Sequence, residues 1–226
     1  MIQHKVIFDT DPGVDDALAL YYLVRHPQID LLGVTTVFGN APVAMTTRNA
    51  RFLLQAWGQD APVHRGAEGP MTPDMPPEFW PTHIHGDNGL GNHPTPDAPV
   101  EGPETAAQFL IDTIRAHPGE VRLLAVGRMT NLARAVQMAP DIAGLVRDVV
   151  IMGGAFRVPG NIPPAAEANI WGDPLAADVV AIIGEGAAHR AAQDADLPGT
   201  VAVGENVKVM RMSVSGGYLF AGVGGR

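Results

Sequence analysis

The chain has 226 residues, of which 46% are apolar and 17% are charged, and this composition is typical of a folded globular protein rather than a disordered one. Its net charge of −9 argues against a nucleic-acid-binding protein, and its lack of cysteine excludes disulfides and thiolate metal sites. We expect a cytoplasmic protein without a membrane span, because the first residues are too polar for a secretory signal and no apolar run reaches about 18 residues.

Apolar patterns along the first 183 residues predict strands that alternate with helices. The predicted strands are Lys5–Phe8, Ile29–Phe38, a short one around Val63, Val121–Val126 and Val149–Met152. The predicted helices are Asp16–Val24, 42–57, Thr105–Ala116, Thr130–Met138 and Asp173–Ile183. Strands that alternate with helices form βαβ units. We therefore predict an α/β fold with an open, mostly parallel sheet flanked by helices.

Two segments depart from this alternation. Residues 59–103 hold half of all the prolines, and a loop this long in a compact domain is usually functional or disordered. We interpret it as a long loop over the active site, at the ligand-binding edge of the sheet. After Ile183 the chain is rich in Ala and Gly, and no strand–helix unit is expected. We therefore predict an α/β domain over residues 1–183 and an atypical tail over 184–226.

Four carboxylates, Asp9, Asp11, Asp15 and Asp16, lie in the stretch DTDPGVDD, where the first predicted strand leads into the first helix. Ligands bind at this edge of open α/β sheets. A helix N-cap would account for Asp15 alone, but not for four acids. Carboxylates that stay ionised side by side need a cation, and oxygen ligands suit Ca²⁺ or Mg²⁺ rather than zinc. The stretch therefore predicts a metal site.

DTDPGVDDA resembles the amino-terminal signature of the inosine-uridine-preferring nucleoside hydrolase family. The resemblance continues in order through VTTVFGN (34–40), HGDNGLG (85–91), AVGRMTNLA (125–133), and IMGGAF and GNIPPAAEANIWGDPLAA (between 151 and 177). It implies a Rossmann-like nucleoside hydrolase fold and hydrolysis of the N-glycosidic bond of ribonucleosides to ribose and free base, in nucleoside salvage. It further implies a bound Ca²⁺ and a homo-oligomer, either a dimer or a tetramer.

The same resemblance assigns residues to the metal and to the reaction. It implies that Asp11 is a metal ligand and the base that activates the attacking water. Asp16 would be a bidentate metal ligand, and the main-chain carbonyl of Thr130 would complete part of the metal shell. Asp15 would hold the ribose 2′-hydroxyl, while Asn40 would face the ribose and the water. Asp9 would support the others without contacting the metal.

The resemblance also assigns the walls of a ribose pocket. The residues implied to line the ribose are Met152, Asn161, Glu167 and Asn169, with His85 in the loop near its 5′ side. Cleavage of a ribosyl–base bond passes through an oxocarbenium-like state, which carboxylates and amide oxygens stabilise. A site built from Asp, Glu and Asn side chains would also pair the three ribose hydroxyls.

Simpler interpretations exist for several of these residues. Asn40 and Asn161 each follow a glycine and fit turn positions, Thr130 fits an N-cap, and Glu167 and Asn169 fit a solvated loop. The loop contains three histidines, His83, His85 and His93, but most histidines in loops are simply exposed, so a zinc site is not favoured. The order of the motifs favours the functional interpretations.

A different enzyme class shares one element of the motif. Asp9 and Asp11 have the spacing of the Asp-x-Asp motif of haloacid-dehalogenase-type phosphatases. That family usually has Thr or Val where Gly13 stands, and it leaves Asp15 and Asp16 unexplained. We therefore favour the nucleoside hydrolase interpretation.

Parts of the chain depart from the family pattern. Family members are longer, and their last third supplies a His-Asp pair, whereas His189 is followed here by Arg190. Arg128 and Met129 stand where a Pro-Leu pair is common. We expect a truncated or frame-shifted hydrolase, or else a short diverged member that completes its site differently, for example through another subunit. Weak calcium affinity and low activity would follow, and a non-catalytic or weakly active ribose or nucleoside binder is the alternative function.

Overall fold

The structure is a computed structural model, and it describes most of the first 181 residues. The described residues are 4–75, 80–96, 100–154, 160–162, 166–181, 200–202 and 207–210, with the backbone alone in the last two ranges. The strands are β1 (His4–Thr10), β2 (Ile29–Thr36), β3 (Val63–Arg65), β4 (Arg122–Ala125), β5 (Asp148–Met152), β6 (Thr200–Ala202) and β7 (Val207–Met210). The helices are α1 (Val14–Arg25), α2 (Val43–Ala56), α3 (Thr82–His85), α4 (Ala106–Ala116), α5 (Thr130–Met138), α6 (Ile142–Leu145), α7 (Ala168–Gly172) and α8 (174–181).

The strands form one sheet in the order β3-β2-β1-β4-β5-β7-β6, and every neighbouring pair is parallel except β6 with β7. This confirms the predicted α/β fold with an open, mostly parallel sheet. The chain adds β2 and β3 on one side of β1 and then returns to place β4 on the other side. Such a reversal of strand order opens a crevice at the carboxyl ends of the two central strands. A ligand site is therefore expected where β1 and β4 end.

The hydrophobic core covers both faces of the sheet, because successive side chains of a strand point to opposite faces. Ile7 packs into a cluster with apolar residues of α4 and α5, while its neighbour Phe8 packs with α1 and α2. Both side chains are fully buried. The central strand is thus fixed from both sides, which holds the residues that follow it in place.

Several elements differ from the sequence-based prediction. Helix α1 begins at Val14, two residues before its predicted start, because Asp15 and Asp16 lie in its first turn. Helices α6 and α7 were not predicted, since segments of four and five residues are too short for a helical apolar pattern. Strands β6 and β7 lie in the tail, where no strand was predicted. They have only three and four residues, which is too short for a recognisable strand pattern. The domain division near residue 183 stays a prediction.

No helix in the described part of the chain is both long enough and apolar enough to cross a membrane.

Candidate active site

The carboxylate cluster comprises Asp9, Asp11, Asp15 and Asp16, and it lies where β1 leads into α1. Asp16 occupies the first turn of α1, where the helix dipole favours negative charge. Its Oδ1 accepts a hydrogen bond from Thr10 Oγ1 at 2.5 Å, and its Oδ2 accepts one from the Gly13 amide at 3.0 Å. The carboxylate of Asp16 is therefore held in a single orientation while being buried.

Asn40, in the loop after β2, joins the two predicted metal-binding aspartates. Its backbone amide donates to Asp11 Oδ2 at 2.8 Å, and its side-chain Nδ2 donates to Asp16 Oδ2 at 2.9 Å and to the Asp11 carbonyl at 3.1 Å. Gly39 makes this approach possible, because a Cβ at that position would lie 1.9 Å from Asp11 Oδ2. The VTTVFGN and DTDPGVDD motifs thus form one unit, with Asn40 linking Asp11 to Asp16.

Asp9 lies inside β1 and belongs to a separate buried network. Its Oδ2 accepts hydrogen bonds from Thr35 Oγ1 at 2.6 Å and Asn131 Nδ2 at 2.8 Å, and its Oδ1 has no hydrogen-bond partner among the described residues. Burial raises the pKa of Asp9 to about 7. Asp9 is only 1% exposed, which does not suit the nucleophile that the phosphatase alternative requires. This arrangement fits a supporting role.

Asn131 is a connecting residue that the sequence did not single out. Besides Asp9, its Nδ2 reaches the Thr36 carbonyl at 3.0 Å, and its Oδ1 accepts a hydrogen bond from the Ala67 amide at 2.9 Å. It therefore ties β1, the end of β2 and the loop after β3 to the start of α5. Its position next to Thr130 in the AVGRMTNLA motif was the only available signal, because its partners are far apart in the sequence.

The electrostatics of the cluster favour a cation. Burial and then the negative charge of Asp16 raise the pKa of Asp11 well above its usual range, and Arg128 opposes this increase. Burial and then the charge of Asp15 raise the pKa of Asp16 to about 7. A cation beside these carboxylates would lower both pKa values, and their oxygen atoms suit a hard ion such as Ca²⁺. The two side chains therefore fit the predicted metal.

The described side chains supply only part of a metal shell. Among them, no group of three or more His, Cys, Asp or Glu residues is arranged to hold a metal ion, and the three loop histidines make no such group. Thr130 is the first residue of α5, and its hydroxyl donates to Asp173 Oδ2 at 2.7 Å. Its hydroxyl is thus engaged elsewhere and does not cap the helix, and its main-chain carbonyl stays a predicted ligand.

His85 joins the carboxylate cluster from the long loop. The Val14 amide donates to His85 Nδ1 at 3.2 Å, and the same nitrogen lies 3.8 Å from Asp15 Oδ1. Burial lowers the pKa of His85, although the charge of Asp15 opposes this. Since Nδ1 accepts a hydrogen bond, the neutral ring carries its proton on Nε2. His85 therefore has an N–H donor to offer a ligand.

A second group, which we call the α7 cap, consists of Asn161, Glu167 and Asn169, which lie at or contact the start of α7. Glu167 Oε2 accepts hydrogen bonds from the Asn169 amide at 2.9 Å and the Ile170 amide at 3.3 Å, and Asn161 Oδ1 accepts one from the Ala168 amide at 2.9 Å. Burial raises the pKa of Glu167 to about 7, and its Oε1 is buried without a hydrogen-bond partner among the described residues. One carboxylate oxygen thus fixes the helix while the other stays available.

The α7 cap is anchored to the sheet through Asn169. Its Nδ2 donates to the Val126 carbonyl at 2.7 Å and to the Met152 carbonyl at 3.1 Å, so it lies at the carboxyl ends of β4 and β5. Glu167 and Asn169 are both buried, so the solvated-loop interpretation is wrong for them. Asn161 is exposed and Met152 is half-buried.

The loop between β4 and α5 separates the two groups. A Cβ on Gly127 would lie 3.1 Å from Asp11 Oδ1, so this loop packs directly against the carboxylate cluster. The preceding residue, Val126, accepts the hydrogen bond from Asn169. The structure therefore brings the predicted residues to one edge of the sheet, in two groups on either side of this loop.

Asp173 is a further polar residue that the sequence did not assign to the site. Its carboxylate accepts hydrogen bonds from Thr130 Oγ1 (2.7 Å), Thr72 Oγ1 (2.7 Å), the Met71 amide (2.9 Å) and the Thr72 amide (3.1 Å). It also accepts one from the Ala176 amide in α8 at 3.3 Å. The Asp-Pro pair before a helix indicates an N-cap and could have revealed this residue, but not its contact with Thr130.

Comparison with known proteins places the chain in a family. The model of the inosine-uridine preferring nucleoside hydrolase family matches residues 6–197. A protein of Arabidopsis thaliana named probable uridine nucleosidase 2 is 43% identical over 180 residues, which are 78% of this chain and 55% of the relative. The pyrimidine-specific ribonucleoside hydrolase RihB of Escherichia coli O17:K52:H18 is 40% identical over 187 residues, covering 80% and 56%.

Solved structures give the same result. A plant nucleoside hydrolase, PpNRh1, superposes with a TM-score of 0.73 at 41% identity, covering 80% of this chain and 57% of that one. A purine-preferring ribonucleoside hydrolase from Gardnerella vaginalis has a TM-score of 0.73 at 36% identity, covering 80% and 58%. The chain spans about half the length of the curated relatives it matches. This chain belongs to the inosine-uridine preferring nucleoside hydrolase family.

Proposed function

We propose that this protein hydrolyses the N-glycosidic bond of ribonucleosides to ribose and free base, with a calcium ion at its carboxylate cluster. The observation that carries the proposal is the joining of Asp11 and Asp16 by Asn40 at the crevice where β1 and β4 end. Relatives are named as uridine nucleosidases, pyrimidine-specific hydrolases and purine-preferring hydrolases, and ribonucleosides are common to all three.

Asp11, Asp16 and the Thr130 carbonyl would hold the calcium ion. Two observations support this assignment: the donors are all oxygen atoms, and the two carboxylates are buried beside other acids, which raises their pKa values and which a positive charge would oppose. When bound, calcium supplies that charge and lowers the pKa of an adjacent water.

The residues of the cluster have separate parts in the proposed reaction. Asp11 accepts the proton of the attacking water, which its place beside the proposed calcium site allows. Asn40 holds the carboxylates of Asp11 and Asp16 in fixed positions relative to each other through its hydrogen bonds to both. Asp15 is half-buried and accepts a hydrogen bond from the ribose 2′-hydroxyl, while His85 offers its Nε2 proton on the 5′ side.

The α7 cap would bind the sugar. Glu167 Oε1 is a buried acceptor without a partner among the described residues, and a ribose hydroxyl would satisfy it. In the reaction, positive charge grows on the ribose, so carboxylates at its edge stabilise the oxocarbenium-like state. Asn169 fixes the cap to β4 and β5, and Asn161 and Met152 complete the proposed wall.

We also propose that the protein is cytoplasmic and forms a dimer or tetramer, as the family resemblance implies. Light scattering coupled to size-exclusion chromatography would measure the mass, and a monomer at all concentrations would contradict the assembly. Fractionation of the source cells would test the location.

The activity is tested by measuring ribose release from inosine and from uridine with a reducing-sugar assay in the presence of calcium. The matched variants are Asp11→Asn and Asp112→Asn, the latter being an exposed acid on α4. We expect release by the wild type and Asp112→Asn, and none by Asp11→Asn. Nucleoside binding without ribose release would favour the alternative of a non-catalytic binder, and release unchanged in Asp11→Asn would contradict the mechanism.

A further inference from the structure

Helix α2 contains a run of four consecutive polar residues, Thr46–Asn49, and all four are buried. Four residues complete about one full turn of a helix, so α2 is covered on every side at this point. Buried polar groups need hydrogen-bond partners. Thr46 Oγ1 donates to the Val37 carbonyl at 2.9 Å, just beyond β2. Arg48 and Asn49 reach instead to two loops of the candidate site.

Asn49 joins the main chains of these two loops. Its Nδ2 donates to the Pro12 carbonyl at 3.1 Å and to the Asn88 carbonyl at 3.0 Å. Pro12 lies between β1 and α1, within the DTDPGVDD stretch, and Asn88 lies in what we call the His85 loop, residues 85–93. A side-chain amide has two N–H donors, and here both are used to link segments that are far apart in the sequence.

Arg48 fixes the orientation of the Asn49 amide. It donates to Asn49 Oδ1 from Nε at 3.1 Å and from Nη2 at 2.8 Å, and Nη2 also donates to the Asn88 carbonyl at 2.9 Å. Because a guanidinium has only donors, it holds the oxygen of the amide and directs the NH2 group to the two carbonyls. Gly89 allows this close approach, since a Cβ there would lie 2.8 Å from Asn49 Nδ2. We call Arg48 and Asn49 the α2 clamp.

The segments joined by the α2 clamp also carry the contact between His85 and α1. The Gly91 amide donates to the His85 carbonyl at 2.7 Å, so the His85 loop closes on itself. His85 Nδ1 accepts the hydrogen bond from the Val14 amide at 3.2 Å, and a Cβ on Gly13 would lie 2.6 Å from the same nitrogen. Val14 is two residues after Pro12. Both partners of this hydrogen bond therefore lie close to the carbonyls that the clamp holds.

We propose that Asn49 is a positioning residue: the α2 clamp holds the His85 loop against the start of α1, and so fixes the His85 ring on the Val14 amide before a nucleoside binds. The inference rests on the proposed function, in which the Nε2 proton of His85 is offered to the ribose. A binding group that is fixed in advance loses less entropy when the ligand arrives. The clamp should therefore affect KM more than kcat.

The test uses two variants of the whole chain that disturb the clamp from opposite sides. Asn49→Leu removes both donors at nearly constant size, and Gly89→Ala places a Cβ against Asn49 at a positive φ of 79°. Gln55→Leu is the matched control, because Gln55 is an exposed amide on the same helix. We expect KM for inosine to rise by about tenfold in both variants, the effect of one weakened hydrogen bond, with kcat within about threefold of the wild type.

A second measurement follows the His85 ring itself. The ¹⁵N NMR shifts of the ring, assigned with His85→Ala, report which nitrogen carries the proton. We expect the wild type and Gln55→Leu to show a fixed Nε2–H tautomer, and the shifts of the two ring nitrogens to converge in Asn49→Leu and Gly89→Ala. In the double variant Asn49→Leu/His85→Ala, KM should equal that of His85→Ala, because the clamp acts through His85.

The contrary outcomes are distinct. Unchanged His85 shifts in both variants, or KM losses that add in the double variant, would overturn the inference. A lower melting temperature with unchanged KM would show that the clamp only stabilises the fold, and would also overturn it. If the wild type releases no ribose, the proposed function fails, and the ring shifts alone decide the placement of His85: converged shifts support it and unchanged shifts contradict it.

Discussion

The carboxylate cluster and the α7 cap are built differently, although both lie at the carboxyl edge of the sheet. The cluster brings together charged groups, so burial and mutual repulsion raise the pKa values of Asp11 and Asp16. The α7 cap has a single acid, Glu167, which faces helix amides rather than other carboxylates. A cation beside the cluster would lower these pKa values, whereas a neutral hydrogen-bond donor would satisfy the free acceptor of the cap.

This contrast corresponds to two requirements of the proposed reaction. The reacting end would need concentrated negative charge and the proposed cation to hold it, while the sugar hydroxyls would need one acceptor each. The loop carrying Gly127 and Arg128 lies between the two groups, and the pKa of Glu167 is shifted by burial and by hydrogen bonds within the cap, with no charge of the cluster among the stated causes. Substitutions in the two groups should therefore affect different measured quantities.

The largest effect is expected from Asp16→Asn. The change removes one of two buried carboxylates proposed to bind calcium, while Thr10, Gly13 and Asn40 keep polar partners. We expect calcium binding to fall below detection in calorimetry and kcat for ribose release to fall by about a thousandfold or more. Asp112→Asn is the matched control. Unchanged calcium binding in Asp16→Asn would contradict the proposal that the carboxylate cluster, and not the α7 cap, binds the metal.

Gly39→Ala should have the next largest effect, because its Cβ would lie 1.9 Å from Asp11 Oδ2. The carboxylate would have to move away from Asn40. We expect kcat to fall by about a hundredfold, since small misplacement of a reacting group has effects of this order. Gly69→Ala is the control, since nothing lies within 4 Å of a Cβ at that position. Equal kinetics for the two variants would contradict the proposed role of the close approach at Asp11.

Glu167→Gln tests the α7 cap. The carbonyl oxygen of the glutamine can still accept the hydrogen bonds from the amides of α7. Its NH2 group then replaces Oε1, the acceptor proposed for a ribose hydroxyl. We expect KM for inosine to rise by about tenfold while the calcium dissociation constant stays unchanged. A calcium dissociation constant that shifts as much as KM would indicate that the two groups act as one.

The same variant makes a prediction about pH and stability. The pKa of Glu167 is raised from 4.5 to about 7 by burial, so the folded protein binds more protons than the unfolded chain between these values. Stability should therefore fall as pH rises from about 4.5 to 7, by roughly 1–3 kcal/mol, and then level off. Asp9, Asp11 and Asp16 also have raised pKa values and lose stability over this range in both proteins, so urea unfolding at several pH values should show a larger loss in the wild type than in Glu167→Gln. Parallel curves for the two proteins would contradict it.

The sequence predicted the carboxylate cluster more completely than its surroundings. Asp11, Asp16 and Asn40 lie within short motifs whose order in the chain was informative, and the alternation of strands and helices predicted the sheet edge that joins them. Asn131 and Asp173 were missed because most of their partners are far away in the sequence, in three separate segments for Asn131. No periodicity reports such contacts.

Burial was the other quantity that the sequence could not supply. Glu167 and Asn169 were also compatible with a solvated loop, because the sequence around a polar residue does not show whether other parts of the chain bury it. The same holds for Arg128, which a sequence reader would place in solvent. Its burial depends on Phe38 and Gly172, which lie far from it in the chain.

The smallest effect is expected from Thr130→Val, which separates the side chain of Thr130 from its main-chain carbonyl. Valine loses the 2.7 Å hydrogen bond to Asp173, which keeps its bonds from Thr72 and from the amides around it. We expect unfolding free energy to fall by about 1 kcal/mol in urea titrations. Calcium affinity should stay the same, because the proposed ligand is the backbone oxygen. A large loss of calcium affinity would instead assign the hydroxyl to the site, and the cluster would then depend on the same Asp173 network that anchors α8.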